Sequence, residues 1–389
     1  MASRRRGTNT RGTNTSRRAA MRGALAGAVL ALGATAWGAA PALAQEPIKL
    51  GFIGPLSGGN AQQGLSARNG FQLAVDQFNA SNGPFRVEAV ILDDAANPQT
   101  GVSAALKLTN DPKVVAATGH WNSGVALATI PVFQRANMPF IVWGAISPRI
   151  TERNNPMVSR VATTLVNTNE PLAKWAVDRI GKRIAIVSDT SDYGAANTQN
   201  FTKFFTEAGG TIVATEAAPV GTTDFRALLT KIRGATPDAI YFGGVITEAG
   251  LVRQQMVELG MTVPMLGVDG FHDPAFIRIA GPAAEGTISG IAKEIGNPVL
   301  DKLMADYRAA NFAEPPTIYT KNAFDAANIL INAMRKAGTT DKAAIARAIR
   351  ETTHDGAMGR TTFDENGQTK MPVDLEIRVV RNGAWTTQQ

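Results

Sequence analysis

Ile48-Lys49-Leu50-Gly51-Phe52-Ile53 runs directly into Gly54-Pro55-Leu56-Ser57-Gly58-Gly59. The first six residues form a short apolar strand and the next six are small, turn-forming residues. Beyond them, Gly64 to Asn79 carries Phe71, Val75 and Phe78 at helical spacing. A strand, a glycine-rich corner and a helix in that order open a βα unit. The unit recurs. Phe85 to Leu92 is a strand, and Asn97-Pro98 starts a helix, because Asn caps and proline suits the first turn. Lys113 to Thr118 is a strand, a helix opens near Asn122-Ser123, and Pro139 to Trp143 is a further strand. Such a series predicts a parallel sheet covered by helices on both faces.

The series then repeats. Strands are expected at Arg183 to Ser188, Thr211 to Glu216, Ala239 to Phe242 and Pro264 to Val268. Helices are expected at Ala195 to Ala208, Phe225 to Arg233 and Thr247 to Leu259. Two halves of this kind predict two doubly wound lobes. The tail differs: Pro298 to Asn311, Ile318 to Ala337 and Asp341 to Thr352 read as helices. Gly359 to Phe363 and Val373 to Val380 read as an antiparallel pair about the turn Asp364-Glu365-Asn366-Gly367. No low-complexity linker separates the halves, which fits lobes joined by several short crossovers.

The charge must be divided before it is used. The chain has 39 Lys and Arg against 32 Asp and Glu. Seven of the bases, Arg4, Arg5, Arg6, Arg11, Arg17, Arg18 and Arg22, precede residue 45, where no acid lies. Removing those seven leaves 32 bases against 32 acids, so the excess gives no argument for nucleic-acid binding. The basic start, the small and apolar run Gly23 to Ala40 and the site Ala42-Leu43-Ala44 have the order of an export signal over residues 1–44, with Gln45 as the mature N-terminus. The alternative is an uncleaved anchor, for which the run is short and broken by glycines. Ser16-Arg17-Arg18-Ala19-Ala20-Met21-Arg22 resembles a twin-arginine signal and leaves the export route open. The remaining 345 of 389 residues exceed the size at which single cores divide. There is no cysteine, so thiol nucleophiles and thiolate metal sites are excluded.

Catalytic motifs are hard to find. The serine of Gly54-Pro55-Leu56-Ser57-Gly58 is at the wrong spacing for G-x-S-x-G, and there is no G-x-G-x-x-G or P-loop. His120, His272 and His354 lack metal-ligand spacing. Folding could still gather His120 and His272 near a cleft, with Asp273 beside one. Asp93 and Asp94, adjacent at a strand end, face opposite ways and suit structural roles. The strand C-termini instead carry small and polar residues: Gly119 to Gly124, Gly144 to Ser147, Ser188 to Gly194, Gly243-Gly244 and Gly267 to Gly270. Small residues let a ligand approach the backbone, and ligands of open parallel sheets bind at these ends.

These landmarks, with Gln63-Gly64, Asp93-Asp94-Ala95, Ala283-Ala284-Glu285-Gly286 and Phe363 to Gly367, resemble in order and spacing the periplasmic leucine/isoleucine/valine-binding proteins, the type I solute-binding proteins of ABC transporters. The resemblance covers Pro47 to Trp385. It implies two α/β lobes joined by three crossovers near Ala162, Thr287 and Thr361. Lobe 1 then comprises 45–162 and 288–361, and lobe 2 comprises 163–287 and 362–389. It further implies a periplasmic, non-enzymatic, monomeric protein without a cofactor, which closes on a small ligand and presents it to permease subunits. By the same resemblance, Ser123 and the helix start beside Asn122 meet a ligand carboxylate, with Gly144 and Ala145 close by. Asp269 meets an ammonium, and Tyr193 supplies an aromatic. Four positions depart from the usual pattern: Ile146 replaces a threonine, Asp269 stands where glutamate is frequent, and Gln63 and Val245 replace aromatics. The implied ligand is an apolar or branched-chain amino acid; an amide, urea or aromatic carboxylate, or a sensor role, are alternatives within the same fold. Trp121, Trp143 and Phe271 are candidates for an apolar wall or for core packing.

Overall fold

The computed structural model describes residues 46–81 and 83–388, so the expected export signal lies outside the described residues. From Pro47 onward the chain forms one compact unit built on two sheets.

The first sheet takes β1 (Ile48–Gly54), β2 (Val87–Asp93), β3 (Val114–Gly119), β4 (Phe140–Val142) and β5 (Val158–Arg160) in the order β2-β1-β3-β4-β5, all parallel. The connecting helices α1 (Ala61–Ala80), α2 (Pro98–Asn110) and α3 (Ser123–Arg135) start where the sequence offers them a beginning. Asn97 accepts the Gln99 and Thr100 N–H groups, with Pro98 in the first turn, as expected for α2. Both faces of the sheet are covered. Leu50, Phe52, Ile141 and Trp143 pack with Phe71 of α1, and Ile53, Ala117, Phe140 and Val142 pack with Leu108 of α2 and Phe133 of α3.

The second sheet contains β6 (Arg183–Asp189), β7 (Thr211–Ala218), β8 (Ala239–Gly243), β9 (Met265–Val268), β10 (Ile288–Ala292), β13 (Leu375–Arg381) and β14 (Ala384–Thr387). Its order is β14-β13-β10-β9-β8-β6-β7, parallel from β7 to β10 and antiparallel at β13 and β14. The helices α4 (Leu165–Arg179) and α5 (Asp192–Glu207) cover one face. The other is covered by α6 (Arg226–Gly234), α7 (Ile246–Glu258) and α8 (Pro274–Ala280).

The chain then returns to the first lobe with α9 (Pro298–Ala309), α10 (Ile318–Ala337) and α11 (Lys342–Arg350). Helix α10 has a Thr317/Thr320 capping box at its start and ends at Gly338 in the left-handed region at φ 62°. It lies against α1, where Ser66 Oγ and Thr320 Oγ1 are 2.5 Å apart. Gly70 makes that approach possible, because a Cβ there would overlap the Thr320 carbonyl.

Three sequence expectations need correction. The stretch 362–369, assigned to lobe 2, stays with the first sheet, where Gln368 bridges Arg160 of β5. Ile288–Ala292, assigned to lobe 1 at the head of 288–361, is β10 and pairs with β9 and β13 in the second sheet. Its apolar run gave no sign of which sheet it would join. Gly359 to Phe363 does not pair with Val373 to Val380. Instead β12 (Gly359–Thr361) folds back on β11 (His354–Gly356). The turn at Asp364 to Gly367 does form, with Asp364 Oδ1 accepting the Asn366 and Gln368 N–H groups. After the Phe363–Thr369 bridge that closes it, the chain crosses to the second sheet, where β13 finds β10 and β14.

Candidate functional site

In each sheet the strand order reverses direction at one point, between β1 and β3 in the first and between β6 and β8 in the second. Loops diverge at such points and leave a crevice beyond the carboxyl ends of the strands. Here the two crevices face one another. Trp121, Asn122 and Ser123 follow β3, and Gly144 and Ile146 follow β4. Tyr193 follows β6, Val245 follows β8, and Asp269 and Gly270 follow β9. Together with Tyr319 of α10 they line one pocket of about 20 Å³, room for roughly one water molecule.

Eight of the ten sequence candidates are thus brought together. The other two are placed elsewhere. The side-chain amide of Gln63 donates to Asp273 Oδ2 at 2.7 Å, a contact from the first lobe to the second. Ala145 is buried behind the lining: its N–H donates to the His120 carbonyl at 2.9 Å and its carbonyl accepts from Arg160 at 3.3 Å.

On the first-lobe wall, Asn122 occupies the cap position of α3 but makes no capping bond, and its Oδ1 is buried without a partner among the described residues. Ser123 is the first helical residue, and its Oγ accepts the Ser147 N–H at 3.2 Å. The serine is therefore not the helix cap. The first-turn N–H groups and positive dipole end of α3 lie beside it, an environment suited to an anion. The hydroxyl that Ile146 lacks reappears one residue later: Ser147 Oγ is buried, without a partner among the described residues, behind Ser123.

On the second-lobe wall, burial pushes the Asp269 carboxyl up to about 6, against the stabilising Tyr193 hydroxyl, which donates to Oδ1 at 3.4 Å. A carboxylate desolvated in this way, with no ion-pair partner among the described residues, calls for a cation. Gly270 lets Tyr193 lie over the backbone, since a Cβ there would overlap its hydroxyl. The aromatic wall is Trp121 edge-on to Tyr319, with ring centroids 6.1 Å apart. Trp143 stands behind Tyr319 and stacks on Phe52, while Phe271 packs on Phe242, Phe276 and Trp385; both belong to the core. Tyr319 and Gly270 are the lining residues that sequence reasoning missed. Tyr319 sits far along the chain at a helix start, with no local sign that α10 reaches the cleft. Gly270 stands next to Asp269 in a loop already marked by its small residues.

The histidines are not gathered. His120 Nδ1 is 2.7 Å from Asp94 Oδ2 and its Nε2 is 2.9 Å from Thr129 Oγ1, all within the first-lobe interior. His272 lies against Trp385, and burial lowers its pKa to about 4. Asp93 turns the other way from Asp94 and holds the β1 corner through the Leu56 N–H and Ser57 hydroxyl, at 2.8 and 2.6 Å. At the cleft mouth, Arg149 of the first lobe pairs with Asp192 of α5 at 2.9 Å. With Gln63–Asp273, this closes the cleft at two points.

Comparison with known proteins supports the same assignment. Residues 47–382 match the family model of periplasmic binding proteins. The chain is 30% identical over 332 residues to a leucine-, isoleucine-, valine-, threonine- and alanine-binding protein of Pseudomonas aeruginosa, covering 84% of this chain and 88% of that one. Its fold is similar to the crystal structure of a leucine-binding protein, LivK, from Thermotoga maritima, with a TM-score of 0.80, 28% identity and coverage of 88% and 98%. It is also similar to the branched-chain amino acid substrate-binding protein LivJ from Streptococcus pneumoniae in complex with isoleucine, with a TM-score of 0.78, 26% identity and coverage of 87% and 98%. Family model, curated relative and fold agree with the two-lobed pocket: the chain belongs to the leucine/isoleucine/valine-binding family of periplasmic binding proteins, the solute-binding components of ABC transporters.

Proposed function

We propose that the protein captures an α-amino acid between its lobes and presents it to the permease of an ABC importer. The observation that carries this reading is the opposition of two unlike walls. Ser123 and the start of α3 suit a carboxylate, and across the pocket the desolvated Asp269 suits an ammonium. An α-amino acid carries both groups on one carbon. A ligand touching both walls binds the closed arrangement better than an open one and shifts the population towards it. The names of the relatives, which bind leucine, isoleucine, valine, threonine or alanine, support the same ligand class.

Calorimetry with the proteinogenic amino acids, simple amides and aromatic carboxylates tests the class. An amino acid is expected to bind in the micromolar range or tighter, about 8 kcal/mol or more, and to shrink the radius of gyration in small-angle scattering. Tight binding of an aromatic acid with no amino acid bound would remove the ammonium site from the account. Export is proposed on the order of basic, apolar and small residues in 1–44. Intact-mass analysis of protein recovered from the periplasm should give a chain beginning at Gln45; retention of the leading arginines would contradict this.

A further inference from the structure

Gln63 bridges the lobes instead of lining the pocket between Ser123 and Asp269. It lies in the first turn of α1, and its Nε2 donates to Asp273 Oδ2 at 2.7 Å. Asp273 caps α8 in the second lobe. Both residues are buried, at 3% and 5% exposure. The bond exists only while the lobes are together, and moving them apart returns both groups to water.

Each partner is fixed from its own side. The first turn of α1 lies on Pro55, so close that a Cβ on Gly64 would overlap the Pro55 carbonyl. The Gln63 N–H donates to the Asn60 carbonyl at 3.1 Å. Across the cleft, Asp273 Oδ1 accepts the Ala275 N–H at 2.7 Å. The Asp273 N–H donates to the Phe271 carbonyl at 2.8 Å, and its own carbonyl accepts from Trp385 Nε1 at 3.3 Å. Oδ2 is the oxygen left for Gln63, and Asp273 loses little side-chain freedom when the two meet.

The bond also bears on the site. Asp269 and Asp273 stand at the two ends of one short loop, braced by the His272 N–H on the Asp269 carbonyl at 3.0 Å. Drawing Asp273 to Gln63 therefore draws the loop that carries Asp269 towards the wall that carries Ser123. The other contact across the cleft is of a different kind. Arg149 and Asp192 are 59% and 41% exposed, so water and salt screen the pair and it adds little. A buried hydrogen bond to a carboxylate is among the stronger kinds.

We propose that Gln63 is a positioning residue for solute capture: through Asp273 it holds the lobes together and sets Asp269 opposite Ser123, without touching the ligand. It therefore raises the affinity for every ligand by the same factor and selects none. The inference rests on the lobe-closing reading above and goes beyond it, because it assigns part of the affinity to a bond that leaves the ligand out.

The test uses the full mature chain and two readouts. In calorimetry with L-leucine, L-valine and L-alanine, Gln63→Ala should weaken binding about fivefold or more, by the same factor for each. Losing a hydrogen bond to a charged acceptor lowers the closing equilibrium about tenfold or more, and affinity follows the closed fraction. Gln63→Glu has nearly the same size but sets two carboxylates against each other, so it should weaken binding further. Adding Asp273→Asn keeps the α8 cap and supplies a donor to the new glutamate, which should bring affinity back to within about twofold of the parent. In small-angle scattering of the ligand-free chain, Gln63→Glu should show the larger radius of gyration, and the double variant should return to that of the parent. A factor that differs from one amino acid to the next would place Gln63 against the ligand and overturn the proposal. So would equal affinities in Gln63→Glu and the double variant. If none of the three amino acids binds, the amino-acid reading falls and the scattering comparison decides alone: equal radii in parent, single and double variant would overturn the role of Gln63.

Discussion

Replacing Asp269 with asparagine is expected to weaken amino-acid binding by about one to two decades at neutral pH, the worth of a charge-assisted hydrogen bond of roughly 1.5–3 kcal/mol. The pH profile makes the prediction specific. In the ligand-free protein burial raises the Asp269 carboxyl to about 6 from an ordinary 3.8. An ammonium beside it must lower that value again, so binding expels a proton wherever the empty site is protonated. Affinity should therefore rise with pH up to about 6 and stay level above it, and at about pH 5 it should be roughly tenfold weaker than the plateau. Neither the tyrosines around Asp269 nor His272 titrates in that window. Tyr193, Tyr241 and Tyr319 are all pushed well above their usual range by burial, and His272 is held down to about 4. In Asp269→Asn the slope should vanish along with the affinity. Stability moves the other way. A carboxyl with a raised native pKa destabilises the empty fold as pH rises from about 4 to about 6, and the penalty is fully present above that. The asparagine variant should therefore melt no lower than the parent at neutral pH. A lower melting temperature with unchanged affinity would make Asp269 a structural loop residue.

Much of this site was legible because the doubly wound fold puts function in fixed places. Once Val114 to Gly119 and Met265 to Val268 are recognised as buried parallel strands, the residues after them must lie at the crevice. That logic marks the loops that carry Ser123, Tyr193 and Asp269, while the choice of those residues within the loops comes from the family resemblance. It fails for Gln63, which lies in the first turn of α1 and whose amide is drawn to Asp273, 210 residues away. It fails for Tyr319 for the same reason in reverse: α10 returns from beyond the second sheet to lie on α1, and no local period announces a long-range return. The tail shows the limit most clearly. The turn at Asp364 to Gly367 was correctly marked by its residues, yet a turn fixes only its own closure. Which strand Leu375–Arg381 would join depended on β10 offering an open edge.

The largest loss of stability among single changes near the site is expected at Arg160, whose side chain is completely buried at the end of β5. Its guanidinium ties together the parts that must keep their places while the lobes move. Nε donates to Gln368 Oε1 at 2.6 Å, Nη1 to the Ser147 carbonyl at 2.6 Å and the Ala145 carbonyl at 3.3 Å, and Nη2 to Thr151 Oγ1 at 3.1 Å. Gln368 in turn donates to the Ala162 carbonyl at 2.9 Å, so one side chain links the Ala145–Ser147 loop to two of the passages between the lobes. Burying this cation is costly, and desolvation lowers its pKa to about 9, with Glu152 and Asp364 offering only distant compensation. Methionine would relieve that cost but remove four hydrogen bonds from a charged donor, each worth about 1.5–3 kcal/mol, although the Ser147 carbonyl keeps the Ile150 N–H and Gln368 Oε1 keeps the Thr151 hydroxyl. The second effect should win, with a net loss of about 3 kcal/mol and a melting temperature lower by about 4 °C for a chain of this size. Affinity should fall by about tenfold as well, because the loop that carries Ile146 and braces Ser123 through Ser147 is no longer held. Lysine separates charge from geometry. It keeps the cation but presents one point where the planar fork reached three directions, so Arg160→Lys should be as damaging as methionine in both melting and binding. Recovery of both by lysine would mean that the charge at this position matters, and that the four-way tie does not.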